Sequence, residues 1–165
     1  MPLNTVEHLD NLVRHINKVR DACLLLGEKY ISQGQSEFGR VVISRGFNHD
    51  ASKFHGIEWD YLHAGEDVSP ESLKLAIHQH NTTNDHHPEF WGDIHSMPKV
   101  AVAEMVCDWY ARAQEFATDL RNWIQTEAVS RFGIEEDSEV YQWINEFLDL
   151  LVPKPFSRKE QPLQV

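Results

Sequence analysis

The sequence predicts an all-α protein with one helical domain over residues 1–152 and a short C-terminal tail over residues 153–165. Proline and glycine are sparse, at 7 and 8 of 165 residues. Apolar residues recur mostly at intervals of three and four, which is the period of an amphipathic helix. The chain has the length of one ordinary domain with its own core, and no internal repeat or linker divides it.

Composition and charge limit the classes of partner. Hydrophobic residues make up 41% and charged residues 25%, close to the average for globular proteins. A formal net charge of -11 disfavours broad binding to a nucleic-acid backbone, but a bound cation would still allow a small phosphorylated substrate. With no membrane-length apolar run, no secretory signal and only Cys23 and Cys107, we expect a cytoplasmic protein without a membrane partner.

The first part of the chain is predicted to form two helices and a shorter helical piece. The first helix covers residues 5–33, and its expected buried side consists of Val6, Leu9, Val13, Ile16, Val19, Cys23 and Leu26. After a turn at residues 32–36, a second helix runs from Glu37 to about Ser44. It contains the β-branched run Val41-Val42-Ile43, which would have no partner as a lone strand. The shorter helical piece follows Phe54.

The second part begins with a clear helix start at Ser69-Pro70-Glu71, because the hydroxyl residue can cap, proline suits the first turn, and the acid favours the helix N-terminus. That helix is expected to end near His80, and residues 81–96 are expected to be irregular. Further helices are predicted over residues 98–116, 120–132 and 137–151. The apolar side of the last one would cover either the core or a second subunit, so an oligomer is left open.

Candidate metal ligands are grouped around the adjacent residues His49 and Asp50. Imidazole nitrogen and carboxylate oxygen together suit divalent first-row metals, and one aspartate can bridge two ions. The chain has ten histidines, most of them between residues 49 and 95. Asp108 falls among apolar residues of a predicted helix, where a carboxylate costs several kcal/mol unless it is paired or bound to metal. The remaining candidates are His15, His80, His86 and His87.

The order of these residues on an all-α chain resembles the His-Asp (HD) phosphohydrolase superfamily. More closely, three segments resemble an uncharacterised HD-like family of phage and bacterial proteins. They are His49-Asp50-Ala51-Ser52-Lys53-Phe54 with Glu58, then His80 to Asn84 with His86-His87 and Glu89 to Trp91, and then Glu104-Met105-Val106-Cys107-Asp108-Trp109. The resemblance covers roughly residues 5–116 and implies a helical bundle of the HD-domain type.

The resemblance also implies a site with one or two divalent cations, among which Mn, Fe, Zn, Co, Ni and Mg are not distinguished. One cation would take His15, His49, Asp50 and Asp108, and Asp50 would bridge to a second held by His80 and by His86 or His87. Lys53 would contact the phosphate or assist the leaving group. The candidates for proton transfer are Glu58, Glu89 and His87. Orientation of the imidazoles would fall to Asn84, Glu104 or backbone carbonyls.

The function implied is metal-dependent hydrolysis of a small phosphorylated compound, such as a nucleotide, by a metal-activated water. Two alternatives use the same residues. One is a mixed-valence di-iron oxygenase, because a few all-α HD relatives activate dioxygen in that way. The other is a non-catalytic, metal-stabilised module that holds a nucleotide.

Overall fold

A computed structural model describes residues 5–63 and 68–152, and within these ranges the chain forms helices and no strand. The all-α prediction is therefore confirmed, while the predicted tail at residues 153–165 lies outside the described residues. The α-helices are α1 (Thr5–Ser32), α2 (Ser36–Asn48), α3 (Gly56–Tyr61), α4 (Pro70–Thr83), α5 (Pro88–Trp91), α6 (Lys99–Phe116), α7 (Leu120–Trp123), α8 (Val129–Phe132) and α9 (Glu139–Leu151). None of them is long and apolar enough to cross a bilayer.

Three shorter helical segments lie between these α-helices in the described part of the chain. A 3-10 turn at Ala51–Phe54 follows α2, and a second at Ile94–Ser96 precedes α6. A π-helical segment, Ile124–Ala128, joins α7 to α8 in one continuous helical stretch. The predicted helix over residues 120–132 is thus formed, with a local widening of its hydrogen-bond pattern.

α1 and α2 form an antiparallel helical pair with very close backbone contact. A side chain added at Gly46 would have its Cβ 2.5 Å from the Cβ of Cys23, and one at Gly27 would meet the carbonyl oxygen of Gly39 at 2.5 Å. Only glycine permits this approach. The contact brings the end of α2, and with it His49, close to the middle of α1.

α6 is the central helix, because it packs against α1, α2 and α9. Its residues from Ala101 to Cys107 are all buried, which is typical of a helix surrounded by protein rather than of one with a single apolar face. Glu104 is part of this buried run and Asp108 follows it. α9 covers the core with Val140, Ile144, Phe147, Leu148 and Leu151.

The predicted buried side of α1 is wrong in its first turns. Val6, Leu9 and Val13 are 62%, 40% and 39% exposed, whereas Leu12 and His15 are buried. The inward side of this part of α1 faces a cavity with polar walls, to which His8 also contributes, instead of the apolar core. In the first turns of α1 the apolar residues therefore lie on the outward side of the helix. From Val19 onward the apolar periodicity predicts the buried side correctly.

Two helix ends also differ from the prediction. α2 continues past Ser44 to Asn48, because packing of Gly46 against α1 outweighs the low helix propensity of glycine. α4 continues past His80 to Thr83, and parts of residues 81–96 form α5 and a 3-10 turn. The β-branched run of residues 41–43 is helical, as predicted.

Because the α1–α2 contact depends on a missing Cβ, Gly46→Ala is expected to destabilise the fold by about 1–3 kcal/mol through overpacking. Urea unfolding followed by circular dichroism measures the change. Ser44→Ala, on the exposed side of α2, is the matched control and should stay within about 0.5 kcal/mol of the parent. A Gly46→Ala protein as stable as the control would show that this contact does not constrain the helix pair.

Candidate metal centre

Asp50 occupies a sharp bend between α2 and the following 3-10 turn. Its backbone has φ 57° and ψ 20°, a left-handed conformation that aspartate tolerates better than most residues. Both His49 and Asp50 are 2% exposed. The bend thus allows two consecutive side chains to be buried together at the end of a helix.

One oxygen of Asp50 faces a first group of side chains. Its Oδ2 lies 3.4 Å from His49 Nε2, 3.7 Å from His15 Nε2 and 2.6 Å from Lys53 Nζ. Asp108 joins this group from α6, with its Oδ1 3.1 Å from His15 Nε2. Side chains from α1, α2 and α6 therefore meet on this side of the carboxylate.

The other oxygen faces a second group. Asp50 Oδ1 lies 3.3 Å from His80 Nε2 and 3.6 Å from His86 Nε2. The ring of His87 stands 4.8 Å from that of His80 and 4.2 Å from that of His86, centroid to centroid. Donor atoms of these three histidines all lie within 4.8 Å of one another. Asp50 is thus situated between two sets of imidazoles.

Three imidazoles each donate a hydrogen bond to a carboxylate through Nδ1, the ring nitrogen on the side away from Asp50. His49 Nδ1 bonds Glu104 at 2.8 Å, His80 Nδ1 bonds Glu58 at 2.7 Å, and His15 Nδ1 bonds Glu115 at 3.1 Å. Since a carboxylate accepts, a neutral ring carries its proton on Nδ1, and Nε2 is the nitrogen directed toward Asp50. This is the usual orientation of histidines that bind metals.

The orienting carboxylates are themselves fixed. Arg45 Nε lies 2.6 Å from Glu104 Oε2, and the same guanidinium pairs with Asp85 at 2.5 Å. Glu58 accepts a hydrogen bond from Ser52 Oγ at 2.8 Å. The imidazoles are consequently supported by a layer of paired charges behind them.

The fit of this cluster to a cation can be judged from its unpartnered atoms. Nine buried side-chain nitrogens and oxygens of the described residues lack a hydrogen-bond partner, and six of them belong to the cluster. These six are Nε2 of His15, His49, His86 and His87, and Oδ1 of Asp50 and Asp108. Buried polar atoms rarely stay unpaired, and a concentration of them suits a bound ion. The residues present therefore fit divalent cations on both sides of Asp50.

The approach of His15 to Asp108 supports the same conclusion. Their atoms are 3.1 Å apart but are not aligned as donor and acceptor. With the His15 proton on the side of Glu115, a lone pair on Nε2 faces the lone pairs of a carboxylate oxygen. Such a contact is repulsive unless the ring gains a second proton or a cation binds both atoms.

The pKa values show how strongly the cluster attracts positive charge. Burial lowers the pKa of His49, but Asp50 and Glu104 outweigh it and raise that pKa to about 10. Burial raises the pKa of Asp108, but His15 and His49 lower it overall. A metal cation would bind the neutral imidazole and displace the proton that these carboxylates otherwise hold.

The pKa values of His86 and His87 are lowered, in contrast to that of His49. Burial, reinforced by His49, lowers the pKa of His86 to about 4. Burial, reinforced by His86 and His80, lowers the pKa of His87 to about 3. Both rings are therefore neutral at physiological pH, with lone pairs that can coordinate a cation.

The structure brings together all six residues predicted as ligands: His15, His49, Asp50, His80, His86 and Asp108. Among the residues predicted for catalysis, Lys53 and His87 also lie in the cluster. Glu58 lies there too, but its contact with His80 makes it an orienting residue. Glu89 is exposed, and its carboxylate accepts a hydrogen bond from Asn81 instead.

Sequence reasoning missed Glu115 and Arg45. Glu115 follows Glu104 by eleven residues and Asp108 by seven, so the three acids share one face of α6. That spacing could have identified it. Of the predicted orienting residues, Glu104 has this contact with His49, whereas Asn84 Nδ2 donates to the backbone carbonyl oxygen of His80 at 2.9 Å.

A cavity of about 590 Å³ opens beside the cluster, and we call it the polar cavity. Its wall includes His15, His80, His87, Asp108 and Lys53. His8, His63 and Arg112 add further basic side chains to the wall. The volume is within the range of small-molecule sites.

The fold and this cluster define an all-α protein with a buried His/Asp site of the kind that can hold metal ions. The chain belongs to DUF5662, a family of unknown function, whose model matches residues 4–150. Neither the curated proteins nor the solved structures contain a match to it.

Glu104 contacts His49 directly and lies 3.4 Å from His86, so its loss should affect both sides of Asp50. We expect Glu104→Gln to weaken Mn²⁺ binding by about 10- to 100-fold, measured by isothermal titration calorimetry, because the imidazole orientation is lost. Glu89→Gln, which removes the charge of an exposed acid, is the control and should bind as the parent does. Equal affinity of the two variants would contradict an orienting role for Glu104.

Proposed function

We propose that this protein is a metal-dependent phosphohydrolase that acts on a small phosphomonoester. The observation that carries the proposal is the set of unpartnered donor atoms on both sides of the Asp50 carboxylate. The order of the ligands along the chain, which resembles that of the HD superfamily, supports it independently.

Two cations would share the cluster. His15, His49 and Asp108 would hold the first, His80, His86 and His87 the second, and Asp50 would contact both. Such ions would neutralise the oxygens of a phosphate ester and lower the pKa of a water molecule. The predominance of imidazole among the donors favours Mn, Fe, Co, Ni or Zn over Mg.

Positive side chains support a phosphorylated substrate. The protein as a whole is acidic, yet Lys53 and Arg112 both line the polar cavity beside the cluster. Lys53 is held close to the reacting region by its 2.6 Å contact with Asp50, and its side chain is 14% exposed. Its ammonium group can bind a non-bridging phosphate oxygen and carries a proton that the departing alkoxide can accept.

Other residues of the site would position groups or exclude water. Glu58 and Glu104 hold imidazoles, and both are engaged by further hydrogen bonds or ion pairs. His15, His49, Asp50, His80 and His86 are only 2–4% exposed, which limits the access of bulk water to these ligands. A dry environment strengthens each charge interaction with the substrate.

Purification without added metal followed by elemental analysis tests the proposal first. We expect about one to two equivalents of a divalent transition metal, and phosphate release from a panel of phosphomonoesters. Asp50→Asn should fold, because the amide is nearly isosteric, but should lose the metal and the activity. Iron with oxygen uptake and no phosphate release would instead indicate the di-iron oxygenase. Stabilisation by nucleotides without turnover would indicate a binding module.

Removal of the metal should also destabilise the fold. Chelation with EDTA leaves lone pairs and carboxylates facing one another in the interior, so the Tm is expected to fall. Differential scanning calorimetry with and without EDTA measures the shift, and Asp50→Asn is the control that should not respond. An unchanged Tm in the parent protein would argue against a buried metal.

Lys53 can be separated from the ligands by its own variant. Lys53→Met keeps most of the side-chain volume but removes the positive charge, so kcat/KM is expected to fall about 100-fold while Mn²⁺ affinity stays the same or rises. Lys74→Met, at an exposed position of α4, serves as the matched control. A Lys53→Met protein with full activity would exclude the role in substrate binding and leaving-group assistance.

A further inference from the structure

A second cavity, of about 440 Å³, adjoins the polar cavity, and we call it the aromatic cavity. Its walls include the rings of Trp109, Trp123, Phe116 and Phe132, together with Pro88. The proposed hydrolysis assigns no role to these residues. Such a cluster of aromatic side chains around an open space is more than the packing of a core requires, because core rings normally fill the space between them.

The rings in the wall are arranged in a fixed way. Trp109 and Phe132 stack with their centroids 5.7 Å apart and an angle of 15° between their planes. Trp123 meets Trp109 edge to face, with centroids 5.2 Å apart. Both arrangements are favourable for aromatic pairs, so the wall is preorganised. Trp109, Trp123 and Phe132 are packed against the core only in part, which leaves ring surface open to the cavity.

The aromatic cavity borders the polar cavity, which lies beside the metal cluster. The two cavities share Ile77, Asn81, His87, Arg112 and Phe116. His87 lies beside His80 and His86, and Arg112 donates to Glu115, the residue that holds His15. A molecule whose phosphate lies at the cluster would therefore extend past His87 and Arg112 into the aromatic cavity.

We propose that the aromatic cavity binds a planar aromatic ring carried by the alcohol part of the phosphomonoester, and that this ring determines substrate specificity. The inference rests on the proposed function for the position of the phosphate. Stacked and edge-on rings offer flat faces that match another planar π system better than a flexible chain. Arg112 and Arg131 also line this cavity, and guanidinium groups stack on aromatic rings.

Arg131 already makes such a contact within the protein. Its guanidinium carbon lies 5.0 Å from the centroid of the Phe132 ring. Asn81 and Thr118 add polar groups to the wall, which can form hydrogen bonds with substituents of a bound ring. The cavity thus combines flat apolar surface with a few polar groups.

The test uses phosphonates, which cannot be hydrolysed, so that binding is measured without turnover. Phenylphosphonate, hexylphosphonate and methylphosphonate are titrated into the full chain loaded with Mn²⁺, and isothermal titration calorimetry gives each Kd. We expect phenylphosphonate to bind about tenfold more tightly than methylphosphonate, because only the former fills the aromatic cavity.

Trp123→Leu and Phe116→Ala test the wall itself. Both should remove most of the preference for phenylphosphonate and leave the Mn²⁺ content unchanged, and Trp123→Leu, which alters only the aromatic cavity, should also leave the methylphosphonate Kd unchanged. Phe116 is 72% exposed, so its truncation does not threaten folding. Trp143→Leu, a partly buried tryptophan of α9 that lines neither cavity, is the matched control.

The inference would be overturned if phenylphosphonate and methylphosphonate bound with equal affinity, or if neither of them bound. Hexylphosphonate binding more tightly than phenylphosphonate would also overturn it, because an alkyl chain would then be the occupant. The same holds if both wall variants keep the full preference for phenylphosphonate. If the protein does not hydrolyse phosphomonoesters, the outcome is distinguishable from failure of this inference. In that case the phenyl preference and its loss in the variants would persist, but phenyl phosphate would release no phosphate.

Discussion

The buried carboxylate of Asp50 is the constraint on which the rest of the site depends. Each of its oxygens faces imidazole nitrogens, with His49 on one side and His80 on the other. A carboxylate in this position is costly unless positive charge compensates it. Lys53 supplies one such charge, and the unpartnered atoms of the surrounding residues leave room for more. Much of the polar interior can be understood as the support that this one side chain requires.

Residues of alternating charge lie one behind another from His49 toward the protein surface. Behind His49 lies Glu104, behind Glu104 lies Arg45, and Arg45 in turn pairs with Asp85 near the surface. A chain of this kind fixes α2 and α6 relative to each other through charge as well as through apolar packing. Each charge in this chain faces one of opposite sign, and the attraction offsets part of the cost of burying it.

The distribution of charge around the two cavities is informative because the whole protein is acidic. Arg112 lines both cavities, and Lys53 lines the polar one, next to the cluster of imidazoles and carboxylates. An acidic surface disfavours long polyanions, whereas a recessed basic wall beside a cation site can still accept one small anion. Cavity size and charge therefore support the proposal of a small phosphorylated substrate rather than a nucleic acid.

The sequence by itself determined the helical fold, because helix periodicity is a local property of the chain. It also selected the six ligand candidates through their residue types and their order, which is His15, His49-Asp50, His80, His86 and Asp108. It did not reveal that Glu58 orients His80, that Glu115 holds His15, or that the first turns of α1 turn Val6 outward. Those features depend on which residues meet across helices separated by up to a hundred positions. Only tertiary packing, including the close approach at Gly46, decides such meetings.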